Sequence, residues 1–239
     1  ACGTCKHCRL GYQNRCENLQ GWIGYTVPGA FAQYARVPAS NLVKLPDNVT
    51  FAEGALLSGA MASPLHCIRR AEVTSSDTVV VFGVGGMGLH TVQILRAMGA
   101  RVIAADIDQE RLEFSKTLGA GDIINMTNED AVETVRKLTN GRGADVAIEV
   151  VDGPAVGPVS IVAAKCLAIG GRLVLEGHFP DTNFTYPIHE FAMRELTLLG
   201  SRASRHQDLW DIVEMASRGL VRPLVAKSYP FEQVADAFK

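Results

Sequence analysis

Residues 78–106 read TVVVFGVGGMGLHTVQILRAMGARVIAAD, and this stretch decides the fold class. It begins with an apolar run (78–83) of the kind that forms a buried strand, and glycines follow directly. Residues 87–99 have the pattern of a helix that ends at a glycine, and residues 101–106 return to a strand pattern. Strand, glycine turn, helix and strand in this order predict one unit of a parallel sheet.

The same alternation continues beyond residue 106. Further helices are predicted at residues 109–119, 131–139 and 159–171, and further strands at residues 122–125, 144–151, 172–177 and 196–201. Apolar strands that alternate with helices favour a parallel sheet covered on both faces, with right-handed connections. The sequence therefore predicts an α/β fold built on a doubly wound parallel sheet.

The first fifty residues are rich in loops and have a different pattern. Residues 31–38 and 41–46 alternate well enough to be predicted as two strands. Thr50 followed by Glu53 is typical of the capped start of a helix, and a second helix is predicted at residues 63–71.

The turn after the first strand of residues 78–106 has the pattern G-x-G-x-x-G. Gly83 allows a tight turn, Gly85 lets the backbone approach a pyrophosphate, and Gly88 permits close packing of helix on strand. Gly86 and Met87 open the helix, whose free N–H groups favour a phosphate. This context predicts a dinucleotide site, and the alternative is a glycine-rich turn without a ligand.

An acidic residue, Asp106, ends the second strand eighteen residues beyond Gly88. A carboxylate there accepts hydrogen bonds from an adenosine ribose and repels a 2′-phosphate, which favours NAD over NADP. Arg111 follows at the start of the next helix and lies either near the adenosine or in solvent. The predicted cofactor is therefore NAD.

Four cysteines, Cys2, Cys5, Cys8 and Cys16, have the spacing C-x2-C-x2-C-x7-C. Their thiolates can reach one ion at about 2.3 Å from each sulfur, which predicts a closed zinc site. An iron–sulfur cluster is the alternative, but the bacterial ferredoxin run has a shorter last gap, followed by proline. Glu17 follows the last cysteine here. Because thiolates would take all four positions, the zinc would stabilise the loop and do no chemistry.

The bulk composition excludes several classes of partner. The chain has 239 residues, 47% hydrophobic and 20% charged, which is ordinary for one large or two small soluble domains. Its net charge of −2 argues against nucleic acid and membranes as partners. Apolar runs are too short to cross a bilayer, and no signal peptide is recognisable. Cys67 and Cys166 are expected to be free buried thiols, which fits a cytoplasmic compartment.

The cysteine loop, followed by strand, GVGGMG, helix, strand and Asp106, resembles the medium-chain dehydrogenase/reductase family. The resemblance is to its zinc-type alcohol and polyol dehydrogenases, and it extends to residues 29–49 and 170–177. It implies three regions: part of a β-rich GroES-like catalytic domain with the structural zinc loop (1–47), an NAD-binding Rossmann domain with linking helices (48–210), and a C-terminal segment that returns to the catalytic domain (211–239).

The resemblance also implies an activity. The family transfers hydride between NAD and an alcohol, polyol or carbonyl substrate, and it forms homodimers or homotetramers, for which residues 196–201 are the candidate edge. The implied cofactor contacts are Gly83, Gly85, Gly86, Met87, Gly88, Asp106, Arg111, Val151, Gly177 and His178.

The catalytic zinc of the family is not accounted for by this sequence. Two of its ligands, a Cys and a His, lie upstream of the cysteine loop in the family, and we expect these 239 residues to be an internal piece of a longer protein. At the usual position of the third ligand this chain has Ser58. No catalytic residue is assigned, and the piece alone is expected to be inactive. The alternatives are a reductase without catalytic zinc and a non-enzymatic nucleotide-binding module.

Overall fold

A computed structural model describes residues 1–238. The described residues form two compact units. Unit 1 consists of Ala1–Ala62 and the C-terminal segment from Ala203, and unit 2 consists of Ser63–Arg202.

Helices occur in both units. In chain order they are α1 (Lys6–Arg9), α2 (Phe51–Leu56), α3 (Ala62–Arg70), α4 (Gly86–Ala97), α5 (Gln109–Leu118), α6 (Ala131–Leu138), α7 (Val156–Cys166), α8 (Ile188–Met193), α9 (His206–Ser217) and α10 (Val234–Ala237). A π-helical turn, Leu57–Met61, follows α2, and 3₁₀ turns lie at Gln13–Arg15, Ala39–Asn41 and Phe231–Gln233. Within residues 1–238, no helix has both the length and the apolar character needed to span a membrane.

The strands belong to unit 2. They are β1 (Thr78–Phe82), β2 (Arg101–Asp106), β3 (Asp122–Asn125), β4 (Ala144–Glu149), β5 (Leu167–Leu175) and β6 (Thr197–Gly200). In the described part of the chain they form one six-stranded sheet in the order β3-β2-β1-β4-β5-β6, and every neighbouring pair is parallel. The predicted doubly wound α/β fold is confirmed. The strand order reverses between β1 and β4, and in such sheets the ligand crevice lies at this switch point.

The centre of the sheet is buried on both faces. All five residues of β1 are buried, and Phe82, Ile103 and Ile124 from three adjacent strands belong to one hydrophobic core. Complete burial of one such side chain stabilises the fold by about 1.5–3 kcal/mol. The central strands are therefore a rigid support for the loops at their carboxyl ends.

The two strands predicted in the first fifty residues are wrong. Residues 31–38 and 41–46 are irregular, apart from the 3₁₀ turn Ala39–Asn41, and most of their side chains are exposed. An alternating segment is stable as a strand only when a neighbouring strand pairs with it and one face is buried. Neither condition holds within residues 1–238.

The predicted cap is confirmed, because Thr50 and Glu53 form a reciprocal capping box at the start of α2.

The helix predicted at residues 159–171 ends earlier than expected. α7 ends at Cys166, and β5 begins at Leu167, which pairs with Ala144 of β4. Leu167 pairs with β4, and after a register shift the pairing resumes at Arg172, so residues 167–171 do not continue the helix. The remaining strands and helices of unit 2 lie within a few residues of their predicted positions.

The compact units differ from the regions that the resemblance implied. Residues 48–62 and 203–210 belong to unit 1, although they were assigned to the nucleotide-binding region. Helix α9 packs on the π-helical turn Leu57–Met61, with Ile212 and Val213 buried. The side-chain amide of Asn48 donates a hydrogen bond of 2.7 Å to the carbonyl oxygen of Ser217. These contacts explain why both segments belong to one unit.

Candidate nucleotide cleft and metal centre

A cavity of about 410 Å³ lies at the carboxyl ends of β1, β2 and β4. Among the predicted site residues, its walls include Gly83, Gly85, Gly86, Met87, Asp106, Arg111 and Val151. The cavity therefore occupies the switch point of the sheet, where open α/β sheets bind their ligands.

The glycines of the turn between β1 and α4 have different environments. Gly83 has φ +87°, in the left-handed region that favours glycine. A Cβ at Gly88 would overlap the carbonyl oxygen of Gly83 and lie 2.8 Å from its carbonyl carbon, so the helix packs directly on the turn. A Cβ at Gly85 would have Arg111 Nη1, 4.0 Å away, as its nearest neighbour. The turn is thus crowded toward the helix and open toward the cavity.

Asp106 connects the glycine turn to the end of β2. Its carboxylate accepts hydrogen bonds from the backbone N–H groups of Val84 (2.6 Å), Ile107 (2.7 Å) and Asp108 (3.0 Å). An ionised carboxylate has about four lone-pair positions, so capacity for about one further hydrogen bond remains for a ribose hydroxyl. The sequence predicted a ligand contact, and the structure adds a second role, because this side chain also fixes the glycine turn.

Arg111 lies at the rim of the cavity on the first turn of α5. Its Nε is 3.3 Å from Oδ2 of Asp108, and 57% of its side chain is exposed. Asp108 caps the same helix by accepting from the N–H groups of Glu110 and Arg111. Arg111 therefore lines the cavity and also contacts solvent. Its contact with the adenosine stays a prediction.

The sulfur atoms of the four loop cysteines converge in unit 1. Their Sγ atoms all lie within 4.8 Å of one another, and those of Cys2 and Cys8 are 4.0 Å apart. A tetrahedral zinc ion with bonds of about 2.3 Å requires sulfurs roughly 3.8 Å apart. In the described residues, these cysteines are the one group of three or more His, Cys, Asp or Glu side chains that could hold a metal. The donor set fits a closed four-thiolate site.

The environment lowers the pKa of one loop cysteine and raises the pKa of another. The Thr4 hydroxyl and the Cys5 N–H donate to Cys2 Sγ, and such bonds lower the pKa of Cys2 to about 5. Burial instead raises the pKa of Cys8 to about 11. A thiolate at the buried position needs a cation beside it, which a metal ion would supply.

Comparison with known proteins shows the family of this chain. Residues 86–218 match the family model of zinc-binding dehydrogenases, and residues 1–47 match that of the alcohol dehydrogenase GroES-like domain. An alcohol dehydrogenase of Geobacillus stearothermophilus is 32% identical over 239 residues, which cover 100% of this chain and 68% of that protein. The chain belongs to the zinc-type alcohol dehydrogenases of the medium-chain dehydrogenase/reductase family. The family resemblance drawn from the sequence is therefore confirmed.

Other members of the family give the same result. The NAD-dependent alcohol dehydrogenase of Sulfurisphaera tokodaii is 31% identical over 238 residues, which cover 98% of this chain and 67% of that protein. The solved structure of the alcohol dehydrogenase TADH from Thermus sp. ATN1 superposes with a TM-score of 0.91 at 29% identity, covering 100% of this chain and 72% of that chain. This family consists of oxidoreductases.

Three of the predicted cofactor contacts do not line the cavity of this dehydrogenase. Gly88 packs beneath the turn, as described above. Gly177 packs on the end of β4, where a Cβ would overlap the carbonyl oxygen of Val151. His178 is exposed and follows Gly177 beyond β5. Contact of these three residues with a cofactor stays a prediction.

Sequence reasoning missed an acidic pair at the ends of β4 and β5. Glu149 is completely buried, and its Oε1 accepts from the Val151 N–H at 2.6 Å. Burial raises the pKa of Glu149 to about 7, and the nearby Asp152 and Glu176 carboxylates act in the same direction. Burial also raises the pKa of Glu176, whose Oε2 accepts from the Cys67 thiol at 3.2 Å. The sequence signal that could have revealed this pair is an acidic residue at the carboxyl end of each of two apolar strands.

The cysteines outside the loop are free and buried, as predicted. Burial raises the pKa of Cys166 to about 12 and the pKa of Cys67 well above its usual value. Both thiols are therefore unreactive near neutral pH. Ser58 is exposed in the π-helical turn Leu57–Met61.

Proposed function

We propose that this chain is an NAD-dependent oxidoreductase that transfers hydride between nicotinamide and the carbon of an alcohol, polyol or carbonyl substrate. The observation that carries the proposal is the cavity at the switch point, lined by the glycine turn and by Asp106. The names of the relatives support it: one is an NAD-dependent alcohol dehydrogenase, and another, the sorbitol dehydrogenase of Bacillus subtilis, is 30% identical.

The residues of the cleft have distinct roles in this proposal. The open backbone at Gly85 and the first N–H groups of α4 bind the pyrophosphate. Asp106 accepts hydrogen bonds from the adenosine ribose, and its charge repels a 2′-phosphate, so NAD is preferred. The bound nicotinamide supplies the hydride chemistry, while Val151 and the end of β4 form the wall beyond the glycine turn.

Zinc has a structural role in this proposal. Cys2, Cys5, Cys8 and Cys16 would hold one ion and tie together the loop that contains α1. An ion surrounded by four thiolates has no open position for a substrate. We therefore propose that removal of this zinc loosens the loop without preventing nucleotide binding.

The second candidate function is that of a reductase of the same family that works without catalytic zinc. Ser58 favours it, because a neutral hydroxyl is a weak zinc ligand beside a thiolate or carboxylate. We propose that these 239 residues by themselves bind one zinc ion and NAD but do not oxidise alcohols.

Association through the sheet edge is also part of the proposal. Strand β6 pairs with β5 alone in the described sheet, and Leu198 on it is 40% exposed. An unpaired edge strand offers its N–H and C=O groups to a second strand. A homodimer or homotetramer formed at this edge is the assembly that we propose.

We also propose a cytoplasmic location, which the free thiols of Cys67 and Cys166 support.

The test combines metal analysis with turnover. Zinc per chain is measured first on the full-length protein, and then NADH formation or consumption by the same protein is followed with a panel of alcohols, polyols, ketones and enones. Two zinc ions with alcohol oxidation support the zinc-dependent dehydrogenase. One zinc ion with reduction of a carbonyl or enone supports the second candidate. Failure to bind NAD and NADH would contradict both.

A further inference from the structure

The buried carboxyl group of Glu149 has an unusual position for an acid. Glu149 is the last residue of β4, in register with Phe82 of β1 and Leu175 of β5, so it lies at the switch point of the sheet. Its side chain is 0% exposed. Val150, Val151 and Asp152, which follow it, all line the cavity. The carboxyl group therefore lies directly behind the cavity wall.

One oxygen of this group lacks a partner. Oε1 accepts from the Val151 N–H at 2.6 Å, but Oε2 has no hydrogen-bond partner among the residues that the structure describes. Gly177 covers the group so closely that a Cβ there would lie 2.7 and 2.8 Å from the two oxygens. A buried polar atom without a partner is costly, and in a native protein it requires an explanation, such as a redox or catalytic role or a bound water or ion.

The charges around Glu149 do not compensate an ionised carboxylate. Besides burial and the Val151 N–H, the charged groups that influence its ionisation are both acids, Asp152 after β4 and Glu176 after β5. Glu176 is itself surrounded by Cys67 and His66 of α3, His178 after β5 and Ser201 after β6. The adjacent end of β1 is the neutral Phe82. No basic residue is among the charged groups that act on Glu149, so a cation bound in the cavity would supply the compensating charge that these residues do not.

The proposed cofactor has such a cation in only one of its two forms. Oxidised nicotinamide is positively charged and reduced nicotinamide is neutral. The adenosine end is assigned to Asp106 and the pyrophosphate to Gly85, so the other half extends across the switch point toward the end of β4. A negative charge behind that wall stabilises the oxidised form and has little effect on the reduced form.

We propose that Glu149 sets the preference of the cleft between the two redox states of the cofactor, because its carboxyl group is ionised to a greater extent in the NAD⁺ complex than in the NADH complex. The proposal rests on the proposed NAD binding. Near neutral pH, binding of NAD⁺ then releases a fraction of a proton from Glu149 to solvent, and binding of NADH leaves the protonation of Glu149 nearly unchanged. Because such coupling is reciprocal, the affinity for NAD⁺ relative to NADH increases with pH.

The pH range follows from the environment of the free group. Burial raises the pKa of Glu149 to about 7, so its charge changes near neutral pH. Below this pH the group is neutral and gives NAD⁺ no advantage, and above it the carboxylate attracts the cation. One charge pair in a medium of intermediate dielectric changes the affinity ratio by roughly three- to tenfold between pH 6 and pH 8.

Calorimetric titration with NAD⁺ and NADH at both pH values tests the proposal on three proteins: the parent, Glu149→Gln and Glu129→Gln. Glu129→Gln is the matched control, because Glu129 also accepts a hydrogen bond from a backbone N–H, that of Asn125 at 2.9 Å. Unlike Glu149, Glu129 is exposed, and it follows the end of β3 outside the cavity. We expect the affinity ratio to rise with pH in the parent and in Glu129→Gln, and to stay constant in Glu149→Gln. Titration in two buffers of different ionisation enthalpy counts the released protons.

The outcomes separate this proposal from the proposed function. A parent that binds neither NAD⁺ nor NADH contradicts both. A parent that binds them with a ratio independent of pH, or a Glu149→Gln variant with the parental pH dependence, contradicts the role of Glu149 alone. If Glu149→Gln does not fold, the infrared difference spectrum of the parent decides. At pH 7 the NADH complex must then show a stronger protonated carboxyl band than the NAD⁺ complex, and equal bands overturn the proposal.

Discussion

Gly88→Ala and Gly85→Ala add the same methyl group to one turn, but Gly88→Ala is expected to reduce stability and Gly85→Ala to reduce NAD affinity. At Gly88 the new Cβ overlaps the carbonyl oxygen of Gly83 and lies 2.8 Å from its carbonyl carbon. Neither neighbour is a flexible side-chain end, so α4 must move away from the turn by about 1 Å in a close-packed interior. Overpacking of this kind costs roughly 1–3 kcal/mol or more. A 3 kcal/mol loss lowers Tm by on the order of 10 °C in a protein of this size.

Gly85→Ala is the matched variant. Its Cβ has no heavy atom closer than Arg111 Nη1 at 4.0 Å, and its backbone (φ −73°, ψ −157°) is open to alanine. We expect a change in unfolding free energy of about 1 kcal/mol or less, since alanine is a poorer N-cap than glycine. The methyl group enters the space proposed for the pyrophosphate, so NAD affinity should fall at least roughly tenfold, which corresponds to about 1.4 kcal/mol.

Thermal unfolding and NAD titration of the parent and both variants check these expectations. The reasoning predicts a stability defect in Gly88→Ala and a binding defect without a comparable stability defect in Gly85→Ala. Parental stability in Gly88→Ala would refute the packing of α4 on the turn. Parental NAD affinity in a folded Gly85→Ala variant would refute the phosphate site.

Three further predictions concern other parts of the molecule. Cys8→Ser should release the metal and expose residues 1–20 to proteolysis with little change in NAD affinity; metal analysis and limited proteolysis measure this, and an unchanged zinc content would exclude the site. Asp106→Ser should weaken NAD binding roughly ten- to a hundredfold and narrow the preference over NADP, because charge-assisted hydrogen bonds contribute about 1.5–3 kcal/mol; parallel titrations of both cofactors decide it, and unchanged affinities would remove Asp106 from the site. The pKa of Glu149 is raised from its usual 4.5 to about 7, so the folded state binds the extra proton and stability should fall as pH rises between those values. The loss is on the order of 3 kcal/mol, and denaturant unfolding at pH 5 and pH 8 should show it in the parent and not in Glu149→Gln.

The sheet was predictable because its signals are local. The apolar run of β1, the glycine turn after it and the acid at the end of β2 each have a fixed place in a strand–helix–strand unit. The cysteine spacing was equally direct, since four thiols within sixteen residues can reach one ion. These features do not depend on which distant segments pack against them.

The errors arose where long-range contacts decide the structure. Residues 31–38 and 41–46 alternate like strands but have no pairing partner in the described residues. Residues 167–171 have a helical pattern, yet Leu167 pairs with Ala144 of β4 and the register shifts before the next paired residue, Arg172. Glu149 was missed because its importance depends on burial and on the crowding by Gly177, which the linear sequence does not show.

Direct titration of this chain with NADH, followed by nicotinamide fluorescence, tests nucleotide binding at the switch-point cavity. We predict one NADH per chain, NADPH weaker by roughly ten- to a hundredfold, and a large loss of NADH affinity in folded Gly85→Ala. Absence of NADH binding to the folded parent, or equal NADH affinity in the parent and Gly85→Ala, would contradict the assignment of this cavity as the cofactor site.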